Sequence, residues 1–520
     1  MIKQGQHWEK IGFKEHNGIN IPLFSLYSKE SCGIGEFTDL LPLIPWCKKV
    51  SFDVIQLLPL NDTGREESPY SALSAFALNP LHLGLKSLPF VKEEPALYSL
   101  LPKMQALNQL KRCDYKAVHN LKNAFLKKYY ELKADQILES RNFKIFKQEN
   151  PWLESYALFK TLRIKENWRG FENFPYEWQN PNLITYNELL NTYADDIRFH
   201  VFVQYLCFTQ FEEVKKIANE NNVFLMGDIP ILINRDSADV WALRSLFDLK
   251  YSAGAPPDNY SEIGQNWGFP TYNWQEMEEE EYHWWKLRLK VASRLYDLYR
   301  IDHIVGFFHI WSIPHKLLST DGFYVPKDFN VAMKQGEHIL KMMIASSSML
   351  PIGEDLGNVP DEVRSCMGRL NICGTKVMRW ERMWHEDKRF IQPEDYSALS
   401  LTTVSTHDSE TLKLWWRDKK KEAKDYADQK KFVYNDQITD DQLTEILKES
   451  LHTKSLFHIN LLQEYLNLVK EFAFDVLEDE RVNIPGTVSG FNWTFRFLKP
   501  VEDIVQNKEL KTKIKHLLKK

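Results

Sequence analysis

The chain has 520 residues, 43% of them hydrophobic and 26% charged, with a formal net charge of −5. That length allows a large core with long insertions, and so small a charge excess gives no reason to expect nucleic acid or an anionic membrane as partner. No apolar run reaches the ~20 residues of a membrane span, and the opening MIKQGQHWEKIGFKEHNG has neither a continuous apolar stretch nor a small-residue cleavage site, so a cytoplasmic protein is expected.

Strand-length apolar runs then recur in chain order: IPLFSLYS from Ile21, DVIQLLPL from Asp53, VFLMGDIP from Val223 and YRIDHIVGF from Tyr299. They continue with LPIGEDLG from Leu350, ICGTKVMRW from Ile372, LSLTTVSTHD from Leu399 and RVNIPGT from Arg481. Helical periodicity precedes the third run (FHVFVQYLCFTQFEEVKKIANENN) and the fourth (HWWKLRLKVASRLYDLYR). This alternation predicts parallel strands with crossover helices, and eight strand candidates predict an α/β fold of the (β/α)8 TIM-barrel type with large, mainly helical insertions. The expected organisation is barrel over 1–84, a helical insertion over 85–200 and the rest of the barrel over 201–520, with a charged helical insertion near 410–470 containing DKKKEAKDYADQKK. Cys32, Cys47, Cys113, Cys207, Cys366 and Cys373 form no CxxC pair and are read as reduced thiols.

In such a barrel the functional side chains collect at the C-terminal ends of the strands. Asp228, Asp302, Glu354 and Asp408 all fall at or near predicted strand ends. Residues two apart on a strand share a face, so Arg300 and Asp302 point the same way. The guanidinium favours the carboxylate form of Asp302, which suits either a nucleophile or a structural ion pair. Glu354 and Asp355 are adjacent, so only one enters the barrel mouth. A carboxyl near Asp302 would be driven to hold its proton and could deliver it to a leaving oxygen, or it could serve as a helix cap before Pro360. Asp408 reads equally as an N-cap, and Asp228 as a turn residue before Pro230. A nucleophilic carboxylate with a second as acid/base, about 5–5.5 Å apart, is the arrangement of a retaining glycosidase-type reaction. Aromatic residues make up 13% of the chain, with 16 Trp, and such rings offer faces on which pyranose rings stack.

The residues quoted so far sit in a longer series: LFSLYSKESCGIGEF, LPLNDTG followed by SPYSALSAFALNP, GDIPI, GAPPDNYSEIGQNWGFPTYNW, YRIDHIVGF, GEDLG, STHD and NIPGTVSGFNWTFR. In that order the chain resembles the 4-α-glucanotransferases (amylomaltase or disproportionating enzymes, glycoside hydrolase family 77), relatives of the α-amylases. The resemblance implies that Asp302 is the nucleophile, that Glu354 is the acid and base, and that Asp408 binds the 2- and 3-hydroxyls of the sugar at the cleavage point. It implies that Arg300 and His407 position this group, that Asp228 holds another hydroxyl of the same sugar, and that Tyr70 lies beneath the ring. It also implies further sugar contacts at Trp267, Asp258, Tyr260 and Asn483. The substrates implied are α-1,4-glucans and maltooligosaccharides, with a glucan, glucose or glycogen as acceptor, and no metal or organic cofactor. The loop GAPPDNYSEIGQNWGFPTYNW offers Tyr260, Trp267, Tyr272 and Trp274 as an aromatic cover that favours sugar over water. Arg65 stands where some relatives carry an aromatic residue. Rival readings are a simple α-glucan hydrolase, a catalytically inactive glycan-binding barrel, and a metal-dependent barrel hydrolase, for which IPLFSLYS lacks an HxH ligand pair.

Overall fold

The computed structural model describes residues 5–257, 262–384 and 386–519. Eight parallel strands run in one sheet: His16–Ile21, Val54–Leu57, Phe224–Pro230, Leu298–Asp302, Leu350–Gly353, Gly374–Val377, Ser400–Thr403 and Phe457–Leu461. Each strand pairs with its sequence neighbour, and the eighth pairs with the first. A parallel bridge between Ile352 and Cys373, with Gly353 N–H donating to Cys373 O at 2.8 Å, joins the fifth strand to the sixth and closes the (β/α)8 barrel.

The inner wall follows from the two-residue period of a strand. Met226, Leu298 and Leu350 are level with one another, and one step up Asp228, Arg300 and Ile352 are level in turn. Below, Val54, Met226, Leu298, Leu350, Leu401, Phe457 and Ile459 belong to a buried cluster of their own. Trp8 plugs its base, its indole N–H donating to Asn371 O at 2.9 Å. The same faces that are apolar at the bottom therefore become charged at the mouth. A packed floor excludes water beneath the charges, as in barrels generally.

Between the second and third strands lie the helices Tyr115–Leu138, Arg141–Glu149, Trp152–Lys165 and Leu183–Thr192, and Ala194–Glu220 then runs unbroken back to the barrel. Buried ion pairs tie these helices down: Lys160 to Asp62 at 2.6 Å and Lys122 to Glu36 at 2.6 Å. The connections after the third and fourth strands build a second, antiparallel sheet in the order Gln265–Tyr272, Phe247–Ala255, Ile310–Pro314 and Phe323–Val325.

Two of the eight expected strands are elsewhere. IPLFSLYS is the exit from the first strand, which is His16–Ile21, and RVNIPGT belongs to a loop, the eighth strand being Phe457–Leu461. The aromatic segment expected as a loop is largely strand, because Gln265–Tyr272 finds a partner in Phe247–Ala255. Among the described residues no helix is long and apolar enough to cross a membrane. All six cysteines are buried and free.

Candidate active site

Arg300 is the hub of the barrel mouth. Its Nη1 meets Asp228 Oδ2 at 2.8 Å, while its Nη2 meets Asp302 Oδ1 at 2.7 Å and lies 4.0 Å from Glu354 Oε2. Because Asp302 and Glu354 share one nitrogen, their oxygens can be no farther apart than those two legs laid end to end. The alternation expected for the fourth strand holds: Arg300 and Asp302 keep 13% and 29% of their side-chain surface open while Ile301 is buried behind.

The strand stops at Asp302. His303 takes a left-handed backbone (φ 53°), and Ile304–Phe307 is a short 3-10 helix rather than a continuation of the strand. That turn lets His303 N–H donate to Glu354 Oε2 at 2.9 Å, and Leu356 N–H donates to Oε1 at 2.8 Å. Glu354, not Asp355, enters the mouth. Asp355 is buried against Arg364 at 3.1 Å and accepts from Thr375 N–H at 2.7 Å. Burial, with repulsion from Asp302, pushes the Glu354 carboxyl up to about 7 against the opposing pull of Arg300. Near neutrality this group can give or take a proton.

On the opposite rim the Tyr70 hydroxyl donates to Asp228 Oδ2 at 2.9 Å and lies 2.9 Å from His407 Nε2, which is 3.2 Å from Asp408 Oδ2. Asn483 Nδ2 donates to Asp408 Oδ1 at 2.7 Å. Enclosure works against charge on His407, yet Asp408 outweighs it and raises the imidazole, favouring imidazolium. Enclosure likewise opposes the Asp408 carboxylate, but the charge and hydrogen bond of His407 and the amide of Asn483 hold it well below the usual range. The Tyr70 ring stacks on His407 at 5.6 Å and 17°.

Asp228 does not meet the expectation of a direct sugar contact. Its side chain is wholly enclosed, with Oδ2 taken by Arg300 and Tyr70. Tyr272 is also not available to grip a sugar. Its ring packs among Trp274, Trp284 and Trp285, and its hydroxyl donates to Ile231 O. Trp267 stands edge-on to His303, ring centres 5.0 Å apart, beside the nucleophile candidate. Asp258 and Tyr260 lie outside the described residues. Arg65 lies over the ring of Trp168 at 5.4 Å, at a separate cavity of about 110 Å³ shared with His119, Lys160 and His200, away from these carboxylates.

Sequence reasoning missed Arg481, whose guanidinium donates to Asp408 O at 3.1 Å and to Asn483 O at 3.0 Å. The spacing that linked Arg300 to Asp302 would have found it two residues before Asn483. It also missed Trp493, held at φ 63° with its ring 5.6 Å from Tyr70.

The sequence pattern that defines the 4-alpha-glucanotransferases matches residues 21–500. The chain belongs to the 4-alpha-glucanotransferase family. Among its relatives, the 4-alpha-glucanotransferase of Chlamydia caviae is 42% identical over 99% of this chain and 97% of its own length. That of Aquifex aeolicus is 30% identical over 93% of this chain and 95% of its own. The amylomaltase from Streptococcus agalactiae, solved in complex with acarbose, superposes with a TM-score of 0.82 at 23% identity, covering 97% of this chain and 98% of that one. As a member of the 4-alpha-glucanotransferase family the chain is an enzyme of glycosyl transfer, and the plain hydrolase and the silent barrel lose their support.

Proposed function

We infer that this barrel transfers an α-1,4-glucan segment to the 4-hydroxyl of an acceptor glucan or glucose, by double displacement with retention, and that Asp302 and Glu354 carry the chemistry. The observation that supports this best is the shared Arg300 nitrogen, 2.7 Å from Asp302 and 4.0 Å from Glu354, with the Glu354 carboxyl pushed up to about 7.

In the first step an Asp302 oxygen attacks the anomeric carbon from the face opposite the leaving group. The glycosidic C–O bond breaks, its electron pair stays on the departing oxygen, and the Glu354 proton is transferred there. Arg300 stabilises the Asp302 carboxylate without removing its nucleophilicity and loses that partner as the ester forms. In the second step Glu354, now a carboxylate, takes the proton of the acceptor 4-hydroxyl. The new oxygen displaces Asp302, and both groups return to their starting states. Asp408, fixed by Asn483 and His407, is charged and partly open to the cleft, the disposition needed to accept hydrogen bonds from sugar hydroxyls that strengthen as the ring flattens. Tyr70 offers a stacking face, and Asp228 acts through Tyr70 and Arg300. Trp267 and the antiparallel sheet form the cover that favours sugar over water as acceptor.

Maltotriose tests the reading. Longer maltooligosaccharides together with glucose are expected, and steady gain of reducing ends without longer products would overturn transfer. A slow donor such as a 5-fluoroglycosyl fluoride should leave an ester on the peptide containing Asp302, seen by mass spectrometry; an ester on another residue would overturn the assignment of the nucleophile.

A further inference from the structure

Asp228 holds the site together with one oxygen. Oδ2 serves both Arg300 and Tyr70, whereas the buried Oδ1 has no protein donor among the described residues. Behind it, on the helix His283–Ala292, stands Arg288, 4% exposed. Its guanidinium lies over the rings of Trp284 and Trp285 at 5.4 and 4.9 Å and shares a hydrogen bond with the Tyr272 hydroxyl, but among the described residues it makes no ion pair and its buried Nη1 has no protein acceptor. A buried guanidinium nitrogen without an acceptor and a buried carboxylate oxygen without a donor are each costly. Here the two residues line one cavity of about 20 Å³, with Asn61 and Tyr296 as further polar lining and Ala75 and Leu295 among the apolar walls. A water needs roughly 10–15 Å³ of such space and two to four polar partners, so the cavity admits one and offers it a donor and an acceptor.

We propose that a single water bridges Arg288 Nη1 and Asp228 Oδ1, and that through it Arg288 is a positioning residue for the transfer reaction. The bridge fixes the rotation of the Asp228 carboxylate. That rotation sets where Oδ2 holds Arg300, hence the Asp302 nucleophile, and where it holds the Tyr70 hydroxyl, hence His407 and Asp408. The cation also favours the ionised Asp228 that both contacts need. The groups facing Asp228 are Arg300, Asp302, His407, Tyr70 and Tyr296, and those facing Arg288 are Tyr272, Asp239 and Asp228. Burial already pushes Asp228 up to about 6, with Arg300 opposing, so loss of a second cation moves it higher.

The inference rests on the proposed roles of Asp302 and Glu354 for its kinetic readout alone, and diffraction reads the water independently. A high-resolution crystal structure should show density within hydrogen-bond distance of both atoms; a dry cavity, or a direct Arg288–Asp228 contact, overturns the bridge whatever the reaction. Arg288→Met, which keeps the bulk between the indoles, is expected to lower kcat/KM about tenfold, the order of a lost charge-assisted hydrogen bond. It should also move the acidic limb of the pH profile upward by about one unit. Arg288→Lys keeps charge and donor and should restore the limb. On an Asp228→Asn background Arg288→Met should cost under about twofold. A fall in melting temperature with an unmoved limb would reduce Arg288 to a packing residue. So would equal losses on both backgrounds.

Discussion

Replacing Glu354 by Gln separates the two jobs of one carboxyl. Both of its oxygens accept backbone hydrogen bonds, Oε2 from His303 and Oε1 from Leu356. An amide has one acceptor oxygen, so one of those N–H groups would face an NH2, costing about 1–3 kcal/mol of stability. The kinetic loss is larger. Without a transferable proton the glucan leaving group departs unprotonated, and the rate on maltotriose should fall by about 10²–10⁴, or about 3–5 kcal/mol of barrier. An α-glucosyl fluoride needs no such proton, so the variant should release about one equivalent of fluoride in a burst and then stall, because the second step lacks its base. Wild-type kcat/KM should fall as pH rises through about 7, and this limb should vanish in the variant. Stability carries the same signature. Between the ordinary 4.5 and about 7 the folded chain holds a proton that the unfolded chain has lost. Glu354 therefore contributes stability fully present below the lower value and lost through the upper one, about 3 kcal/mol in all. Chemical denaturation from pH 4 to 8 would show that slope in the wild type and less of it in Glu354→Gln. An unchanged maltotriose rate, or no fluoride burst, would refute the assignment.

Asp302→Asn should abolish transfer, by about 10⁴ or more, with a melting temperature near that of the wild type; turnover above a hundredth of wild type would remove Asp302 as nucleophile. Tyr70→Phe keeps the stacking ring and deletes the hydroxyl between Asp228 and His407. It should cost about ten- to a hundredfold in kcat/KM, and a change under twofold would leave that bridge without consequence. Trp267→Ala opens the space beside His303 and should raise the ratio of hydrolysis to transfer on maltotriose, read as reducing ends per longer product; an unmoved ratio takes the cover out of the explanation.

The parts legible in the sequence were those written in a two-residue period. Arg300 and Asp302 share a face because a strand alternates, and Leu298 below them shows why the same face reads apolar and then charged. The first and eighth strands were harder to find. HNGINI carries Asn and Gly, poor β-formers, and its pairing comes from neighbours far along the chain, Val54–Leu57 and Phe457–Leu461. The eighth strand follows three charged helices, and its FHINL sequence sets only three apolar residues, interrupted by His458 and Asn460, behind them. The aromatic segment could not be sorted from sequence either. Tyr272 and Trp267 lie five residues apart, an odd spacing that puts them on opposite faces once the segment is known to be a strand: one is sealed under indoles and the other flanks the site. Alternation separates the two rings, but that the segment is a strand and which of its faces meets the cleft are decided by tertiary packing.

The cover beside the site is a hydrogen-bonded sheet, its strands drawn from the connections after two adjacent barrel strands. Such a canopy cannot peel away residue by residue as a flexible flap does; it shifts as a panel or stays put. Under the proposed transfer reaction, a cover built this way would keep one fixed wall beside Asp302 while donor and acceptor exchange, rather than opening and closing over each in turn.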